Sequence, residues 1–562
     1  MKKEEIYPLM FKLLLGIGLL VSLLLYIQYG PKYRQVNPLE YFDEFNKDQI
    51  NLVIDDRRYP INHEILEKNN EIYLSTQLIR QEIDDRLYYD KVEKILTLTT
   101  LQDVIRIPLN SNVGTNLKGE KITLEAPIIE ENETAYVPSS LVKKYYPVGI
   151  QYGKTKEIVS IDHLDRPIII GELKRSELLR TFPNNQSVIT ERVKRKEKVI
   201  VYEENNKYLK VKTESGIIGY LKKSSLKKDF EEIYQPLKKE TPLNDLRLTE
   251  PIQMVWDQMG VEVGKTVWQD DKYKVLEGKI NVISPTWFEF MDKDGTLLSK
   301  ANLGYVKEAH QRGIQVWPIL AQSFTKPELT KEILTSTTKR QYVIDQILNY
   351  AKDYELDGIN VDIENVQEDF QDEWVQFMRE LYPQANQLGI RVSVDVYVPS
   401  EWSKHYQRSK ISEVVDYFMV MAYDQYWSGS EEAGPVSSLV WTEEKIQENL
   451  KEVPKEKLVL GIPTYVRHWA ETANGLETRS YSMNYTQKRI AEWGAAITKD
   501  ETTGLNYVEH KTKDKTYKIW IEDRNSIQER MRLIDKYQLA GFSFWKLGLE
   551  SEDIWQEVKN LK

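Results

Sequence analysis

Eight short apolar runs alternate with longer segments of helical periodicity over the second half of the chain. In one such segment, 340–354, apolar residues recur at helical spacing. This alternation predicts repeated βα units around a parallel sheet. The runs lie at 252–256, 280–284, 314–319, 358–363, 391–397, 417–422, 458–463 and 541–545. Eight such units over about 310 residues match a (β/α)8 TIM barrel. A doubly wound open sheet is the alternative, although no Gly-rich phosphate-binding loop follows the first run.

The fourth run carries a polar residue at every second position. Asn360, Asp362 and Glu364 alternate there with aliphatic residues, so period two places the three polar side chains on one face, inside the predicted barrel. Burying an amide and two acids is costly unless they bond one another, so stability alone does not explain the pattern. Glu364 closes the strand at its C-terminal end, where TIM-barrel enzymes carry catalytic residues.

The two acids of this run suit proton transfer. Asp362 is expected to raise the pKa of Glu364 by like-charge repulsion. A glutamic acid that stays protonated near neutral pH can protonate a leaving group. Glu364 is therefore the candidate general acid.

The run Asp357-Gly-Ile-Asn-Val-Asp-Ile-Glu364 resembles the Asp-Gly-x-Asp-x-Asp-x-Glu motif of family 18 glycoside hydrolases, the chitinase-like enzymes. The resemblance implies that Glu364 is the acid/base and that Asp362 orients and stabilises the acetamido group of the substrate. The acetamido oxygen then attacks the anomeric carbon, so no second carboxylate nucleophile is needed and the anomeric configuration is retained. Asp357 is implied to support the strand.

Asn360 departs from the family motif. It stands where the chitinases have the middle aspartate that shares a proton with Asp362. Similar Asn variants occur in the spore-cortex-hydrolase-like branch of the family. We expect Asn360 to hydrogen-bond Asp362, the coupled titration of the pair to be lost, and the pH profile to change.

The resemblance extends over 251–562. Met421-Ala-Tyr423-Asp424 is similar to the family's Met-x-Tyr-Asp, which implies that Tyr423 hydrogen-bonds the acetamido carbonyl and Asp424 a sugar hydroxyl. The segment 461–465 resembles the family's seventh strand, and the segment 469–520 its small insertion. Trp545 stands where the family has the tryptophan that floors the cleavage subsite. The implied catalytic residues are Glu364, Asp362 and Tyr423, and the implied substrate-binding residues are Asp424, Asn360, Trp545, Tyr465 and Met421.

Several of these residues also have a purely structural interpretation. Tyr465 and Arg467 could be a core tyrosine and a surface charge, and Trp545 could be core packing. Asp395 is either a satisfied buried acid or a subsite residue. Tryptophans that follow predicted strands could line a cleft or could simply pack, namely Trp287, Trp402, Trp427 and Trp469.

The N-terminal segment 1–34 predicts a single-pass membrane anchor with a short cytoplasmic tail. Residues 13–27 are apolar, and with residues 9–11 they approach the roughly 20 residues that span a bilayer. Lys12 can reach the headgroups from within such a span. A cleaved signal peptide is the alternative, but no small-x-small peptidase site follows. The body is expected outside the cell membrane, on a Gram-positive surface.

Two β-rich regions and a linker precede the predicted barrel, which occupies 249–562. Region 49–165 resembles the copper amine oxidase N-terminal-like domain. Copper is not implied, because His63 and His163 are the only histidines near it. Region 170–227 resembles a bacterial SH3 domain, whose usual ligand is peptide or cell-wall material, and a plain spacer is the alternative. Region 228–248 is predicted to be a linker.

The amino-acid composition excludes several classes of binding partner. The chain has 562 residues and a net charge of −10, and its mixed charges offer no basic face to nucleic acid. Cysteine is absent, which excludes disulfides and thiolate metal sites. No metal or cofactor is expected.

The expected partner is an N-acetylglucosamine-containing polysaccharide: peptidoglycan, spore cortex or chitin. The alternatives are a lectin-like protein that binds wall glycan without cleaving it, and a wall-tethering scaffold that acts through its β-rich regions.

Overall fold

This computed structural model describes residues 3–29, 32–60, 64–227, 231–233, 243–260 and 267–558. The chain divides into two compact units. The first comprises 1–89 and 106–240, and the second comprises 90–105 and 241–562.

The chain begins with one long helix, α1 (Lys3–Tyr29). Its described side chains from Phe11 to Ile27 are exposed to solvent, and nearly all of them are apolar. Judged on the described residues alone, no helix combines the length and the hydropathy needed to cross a membrane. The predicted anchor over 1–34 includes 1–2 and 30–31, which lie outside the described residues, and it stays a prediction.

The region predicted over 49–165 is rich in short strands. In the first unit β12, β13, β1 and β2 form one four-stranded sheet, and β10, β11, β4 and β3 form another. The strands are β1 (Asn51–Ile54), β2 (Arg57–Tyr59), β3 (Ile65–Lys68), β4 (Glu71–Ser75), β5 (Leu87–Asp90), β6 (Ile95–Thr99), β7 (Val104–Pro108), β8 (Val113–Thr115), β9 (Lys121–Thr123), β10 (Ile129–Glu131), β11 (Thr134–Pro138), β12 (Val148–Tyr152) and β13 (Ile158–His163), and the helices are α2 (Pro38–Tyr41), α3 (Thr76–Glu82) and α4 (Ser139–Tyr145).

Seven further strands form a second β module. In the order β16-β15-β19-β18-β17-β14-β20 they make one sheet around buried aliphatic side chains such as Leu179, Val211 and Leu221. They are β14 (Ile168–Glu172), β15 (Glu177–Arg180), β16 (Ile189–Val193), β17 (Lys198–Asn205), β18 (Tyr208–Thr213), β19 (Ile218–Lys222) and β20 (Glu231–Ile233). The resemblance to an SH3 domain stays a prediction. Residues 231–233, which the sequence assigns to a linker, pair with β14, and most of that linker lies outside the described residues.

The second unit holds a closed barrel. Its strands and those of its insertion are β21 (Ile252–Asp257), β22 (Val282–Pro285), β23 (Phe288–Phe290), β24 (Leu297–Ser299), β25 (Gln315–Val316), β26 (Ile319–Ala321), β27 (Gly358–Asp362), β28 (Arg391–Tyr397), β29 (Tyr417–Met421), β30 (Leu458–Pro463), β31 (Tyr465–Thr472), β32 (Gly475–Ser482), β33 (Thr498–Asp500), β34 (Leu505–Lys511), β35 (Lys515–Ile521) and β36 (Gly541–Trp545). All eight predicted runs are strands of the ring.

The ring closes because β21 pairs in parallel with both β22 and β36, so the open-sheet alternative is wrong. The third strand consists of two pieces, β25 and β26. Pro318 lies between them and has no N–H to donate, which interrupts the ladder.

Helices surround the barrel and cover its aliphatic outer face. The outward side chains of the fourth strand, Ile359, Val361 and Ile363, are fully buried. Ser336 caps α8, since its Oγ accepts a hydrogen bond from the Lys339 N–H at 3.1 Å. The helices are α5 (Asp270–Tyr273), α6 (Leu303–Gln311), α7 (Glu328–Leu334), α8 (Thr337–Asp353), α9 (Gln371–Gln387), α10 (Arg408–Glu413), α11 (Leu439–Asn449), α12 (Met483–Trp493), α13 (Arg524–Tyr537) and α14 (Trp555–Val558).

The predicted insertion after the seventh strand is a separate five-stranded sheet. Its order is β32-β31-β35-β34-β33. It follows directly from β30, so the residues at its start lie next to the C-terminal ends of the barrel strands. Short 3-10 helices complete the described chain at Lys223–Ser225, Lys274–Leu276, Glu368–Phe370, Glu401–Tyr406 and Glu552–Ile554.

Candidate active site

The fourth barrel strand, β27, directs its polar residues inward, as period two predicts. Asn360 is fully buried and Asp362 is 7% exposed. Glu364 follows the strand and is partly buried. Asp357 precedes the strand and supports it, because its Oδ2 accepts a hydrogen bond from the Val316 N–H at 2.9 Å. The three central residues therefore form one line that ends at the mouth of the barrel.

All the hydrogen-bonding groups of the Asn360 amide are occupied. Its Oδ1 accepts from Trp256 Nε1 at 2.9 Å and from Ser284 Oγ at 3.2 Å. Its Nδ2 donates to Asp395 Oδ1 at 2.8 Å and to Ser393 Oγ at 3.1 Å. The side chain thus ties four barrel strands together through β21, β22, β27 and β28.

This geometry corrects one expectation. The amide of Asn360 was expected to hydrogen-bond Asp362, but it donates to Asp395 and Ser393 on the next strand instead. The reason is the parallel register, which places Asn360 beside Ser393. Asp362 keeps one oxygen, Oδ1, that is buried and has no hydrogen-bond partner among the described residues.

Asp395 lies in the site and is a buried acid at the same time. It projects from β28 and is 3% exposed. Burial raises the pKa of Asp362 well above its usual range, and repulsion from Glu364 and Asp395 adds to the rise. Burial likewise raises the pKa of Asp395, and Glu364 adds to it, while the hydrogen bond from Asn360 opposes it. Asp395 is therefore a second buried carboxyl, near enough to Asp362 to raise its pKa.

Glu364 is held by its neighbours at three points. Its backbone N–H donates to Gln322 Oε1 at 2.7 Å, and its carbonyl accepts from the Tyr406 hydroxyl at 2.6 Å. The Tyr397 hydroxyl donates to its carboxylate Oε2. Main chain and side chain are thus both fixed, which orients the carboxyl group at the barrel mouth.

The pKa of Glu364 is raised, as the sequence predicts, but for a different reason. Burial is the largest cause, and repulsion from Asp424 adds to it. The hydrogen bond from Tyr397 acts in the opposite direction and lowers the pKa. Burial rather than the neighbouring Asp362 therefore favours the protonated form.

Tyr423 stands beside the acids. Burial raises the pKa of its hydroxyl well above the usual range, and the nearby carboxyls of Asp395, Glu364 and Asp362 add to the rise. The hydroxyl therefore remains a hydrogen-bond donor at any working pH. Met421 ends β29 two residues earlier and is 7% exposed, so it contributes packing at the wall of the site.

Asp424 is clamped by two residues of β31. The Tyr465 hydroxyl donates to Asp424 Oδ1 at 2.5 Å, and Arg467 Nη2 donates to the same oxygen at 2.7 Å. The Asp424 side chain is still 45% exposed, so its other oxygen can reach a ligand. Tyr465 and Arg467 are themselves buried, with exposures of 6% and 7%, so Arg467 is not a surface charge, and both residues fix the position of Asp424.

The tryptophans divide into three groups. Trp545 ends β36, is partly buried, and packs edge to face on Trp256 with ring centroids 5.8 Å apart, so it lies at the inner end of the cleft. Trp287 and Trp469 are each 1% exposed and are structural; Trp469 Nε1 also donates to the Gly434 carbonyl at 2.7 Å. Exposed rings, which are available to a long ligand, belong to Trp402 and Trp427.

Sequence reasoning did not find Gln322, Tyr397 and Tyr406. Tyr397 had a usable signal, because it lies two residues after Asp395 on the same face of the fifth strand. Gln322 and Tyr406 had none, since they reach Glu364 from a strand end and from a 3-10 helix that only the fold brings together.

The arrangement is suited to acid–base chemistry. A glutamic acid with a raised pKa and a fixed carboxyl can donate a proton and take it back. Within the described ranges, no group of three or more His, Asp or Glu side chains is placed to hold a metal ion.

Two family models match the chain. "Glycosyl hydrolases family 18" matches residues 325–550 and "Copper amine oxidase N-terminal domain" matches residues 53–161. The first includes the fourth, fifth, sixth, seventh and eighth barrel strands and therefore the acids described above.

Two curated proteins of Bacillus subtilis are similar to this chain. The "Uncharacterized glycosylase YvbX" is 26% identical over 319 residues, which is 53% of this chain and 91% of that protein. A "Cortical fragment-lytic enzyme" is 25% identical over 276 residues, which is 47% of this chain and 64% of that protein. The match therefore spans less than two thirds of the second relative.

The fold also resembles solved structures. The spore cortex-lytic enzyme SleL of Bacillus megaterium aligns with a TM-score of 0.50 at 20% identity, over 59% of this chain and 77% of that one. At that identity the likeness concerns the fold alone.

Proposed function

We propose that this chain, which carries a family 18 glycosyl hydrolase domain over residues 325–550, is a glycoside hydrolase that cleaves β-linked polymers containing N-acetylglucosamine. Peptidoglycan and spore cortex are the first substrates to test, and chitin is the next. The observation that carries the proposal is the carboxyl of Glu364, which is partly buried at the barrel mouth, fixed by Tyr397 and raised in pKa.

The proposed first step uses Glu364 as the general acid. The acetamido oxygen of the substrate forms a bond to the anomeric carbon while the bond from that carbon to the leaving oxygen breaks. The proton of Glu364 moves to the leaving oxygen. In the second step water adds to the anomeric carbon, its proton returns to Glu364, and the bond to the acetamido oxygen breaks. Two displacements retain the anomeric configuration.

Two groups are placed to hold the acetamido. The unpartnered Oδ1 of Asp362 can accept its N–H, and the hydroxyl of Tyr423 can donate to its carbonyl oxygen. Asp424, clamped by Tyr465 and Arg467, can accept from a sugar hydroxyl. Trp545 supports the ring from below, because its face lies at the inner end of the cleft and aromatic faces stack on sugar rings.

We propose that Asp395, on the neighbouring strand, supplies the carboxyl that the motif's middle aspartate would supply and that Asn360 lacks. In the first step positive charge develops on the acetamido group, and a carboxylate at Asp362 stabilises that charge. Both carboxyls are buried, and the charge of Asp395 raises the pKa of Asp362, so the two groups share a proton more easily than they both ionise. Asn360 holds Asp395 in position through a hydrogen bond of 2.8 Å.

The proposed location is the outer face of a cell membrane, with α1 as the anchor. The helix exposes its described apolar side chains over 11–27, and soluble proteins rarely leave such a surface uncovered. Peptidoglycan and cortex are extracytoplasmic, which agrees with an external barrel.

A glycan-binding protein without catalysis is the second candidate. The observation that favours it is Asn360, which replaces an acid of the motif. The choice depends on whether Asp395 supplies the missing carboxyl.

The test is mass spectrometry of peptidoglycan, cortex and chitin oligosaccharides after incubation with the full chain in mild detergent. Two variants accompany the wild type: Glu364→Gln, and Glu368→Gln as a matched control at an exposed glutamate nearby. New reducing ends that terminate in N-acetylglucosamine are expected from the wild type and the control, and not from Glu364→Gln. Tight binding without cleavage by all three proteins would make the chain a glycan-binding protein.

A further inference from the structure

The second β module contains a cavity of about 720 Å³ in which five of the ten lining residues are lysines. They are Lys174, Lys207, Lys222, Lys223 and Lys227, and no carboxylate lines the cavity. The whole chain carries a net charge of −10, so the sign of this lysine cluster is opposite to that of the net charge.

Two of the lysines are neutralised by neighbouring carboxylates. Lys223 Nζ lies 2.5 Å from Glu204, and Lys227 Nζ lies 2.7 Å from Glu172. For the other lysines of the cavity, Lys174, Lys207 and Lys222, no ion pair exists with any described residue. Three like charges around one cavity repel each other unless an anion lies between them.

The lysines that line the cavity come from separate elements of the module. Lys174 follows β14, Lys207 lies in the turn between β17 and β18, and Lys222 ends β19. The loop 182–187 lies beside the cavity, since Asn185 lines it and its Oδ1 accepts a hydrogen bond from the Tyr208 hydroxyl at 2.7 Å. Lys174 and Lys207 therefore join the basic stretch 222–227 only through the fold of the module.

The same loop contacts the C-terminal end of α1. Gln186 Nε2 donates to the Gln28 carbonyl at 3.4 Å, and the Lys32 N–H donates to the Asn185 carbonyl at 2.9 Å. Phe182, also in this loop, is 60% exposed. The cavity and an exposed aromatic ring thus lie beside the point where the apolar helix meets the module.

We propose that the lysine-lined cavity binds phosphate headgroups of the membrane that α1 enters. The proposal rests on the membrane anchor of the proposed function. Ammonium groups at a membrane surface attract anionic lipids, and an aromatic side chain inserts at the headgroup level. The phosphodiester of phosphatidylglycerol supplies an anion for the three lysines that form no ion pair with a described residue. The module is then fastened to the membrane surface at a second point besides the helix.

The test uses the full chain reconstituted into vesicles of phosphatidylcholine alone or of phosphatidylcholine mixed with phosphatidylglycerol. Lysines are acetylated with a membrane-impermeant reagent, and mass spectrometry gives the rate for each side chain. Lys118 and Lys513, which are exposed and lie elsewhere, serve as internal controls. We expect acetylation of Lys174, Lys207 and Lys222 to slow roughly fivefold in the anionic vesicles and the controls to be unchanged.

Two further acetylation measurements, one at high salt and one on a lysine variant, test whether the protection is electrostatic. The protection is expected to disappear at about 1 M salt, where charges are screened beyond about 3 Å. The variant Lys174→Gln/Lys207→Gln/Lys222→Gln is expected to remove the protection of the two remaining cavity lysines, and Lys118→Gln to leave it intact.

The outcomes separate the two proposals. Failure of the chain to float with either kind of vesicle would overturn the anchor and the headgroup site together. Flotation with both kinds but equal acetylation would overturn only the headgroup site. Protection by a soluble glycerol-phosphate polymer, and none by phosphatidylglycerol, would also overturn it and assign the cavity to a wall polymer.

Discussion

The barrel interior and the second β module each gather charges of one sign, and they do so in opposite surroundings. Asp362 and Asp395 are both buried, with exposures of 7% and 3%. Burial raises both pKa values, and repulsion from nearby carboxyls adds to the rise. The lysines of the module's cavity lie at or near the surface. In the buried site, repulsion between carboxyls favours their protonated form, which acid–base chemistry uses. On the exposed surface, a cluster of like charges attracts an anion instead.

The largest effect is expected when the carboxylate of Asp362 is removed from the barrel interior. Asp362→Asn removes the carboxylate that faces the developing positive charge of the acetamido, so kcat is expected to fall about a hundredfold or more with little change in KM. Steady-state kinetics on an N-acetylglucosamine oligomer measures it. A raised KM with an unchanged kcat would reduce Asp362 to a residue that only binds.

The second prediction separates the neighbours of Glu364 by the sign of their effect. Asp424→Asn removes the charge whose repulsion raises the pKa of Glu364, so that pKa falls and the alkaline limb of kcat/KM moves to lower pH. Tyr397→Phe removes a hydrogen bond that lowers the pKa of Glu364, so the limb moves to higher pH.

The matched control for this prediction is Tyr406→Phe. Its hydroxyl bonds the Glu364 carbonyl and not the carboxyl, so the limb is expected to stay in place. Shifts of Asp424→Asn and Tyr397→Phe in the same direction would contradict the account.

A third, smaller effect concerns stability. The folded-state pKa of Asp395 lies above its unfolded value, so its contribution to stability is fully present at a pH below the unfolded pKa and is lost as the pH rises through the folded pKa. Asp395→Asn removes this loss. The variant is therefore expected to gain unfolding free energy relative to wild type at pH 8, and to gain none at pH 4, in denaturant unfolding followed by tryptophan fluorescence. An equal change in unfolding free energy at both pH values would show that the charge of Asp395 does not destabilise the barrel.

The smallest effect is expected at the exposed cluster. Lys207→Gln removes one of the like charges in the module, and surface charges contribute little because water screens them. The unfolding free energy should change by less than about 0.5 kcal/mol, as thermal unfolding can measure. A larger loss would mean that Lys207 has a structural partner and that the comparison between buried and exposed charge fails.

The barrel and the line of the site acids follow from local patterns. Each strand run is short and apolar, and period two places Asn360, Asp362 and Glu364 on one face, so the sequence predicts the inner wall. The partners of these residues depend on register between strands. Asp395 meets Asn360 only because β27 and β28 align in parallel, and no periodicity within one strand contains that information.

Two further differences have simple causes. Pro318 splits the third strand by removing one donor, a local rule that the sequence could have supplied. The lysine cavity could not be predicted, because its residues come from separate elements between 174 and 227 and converge only when the seven strands form one sheet.

The central claim is that the substrate's own acetamido acts as the nucleophile. The direct measurement is proton NMR of the first products from a β-linked N-acetylglucosamine oligomer, with the de-N-acetylated oligomer as the paired substrate. The account predicts that the β-anomer forms first and that the de-N-acetylated oligomer is not cleaved. An α-anomer formed first, or equal cleavage of both oligomers, would contradict it.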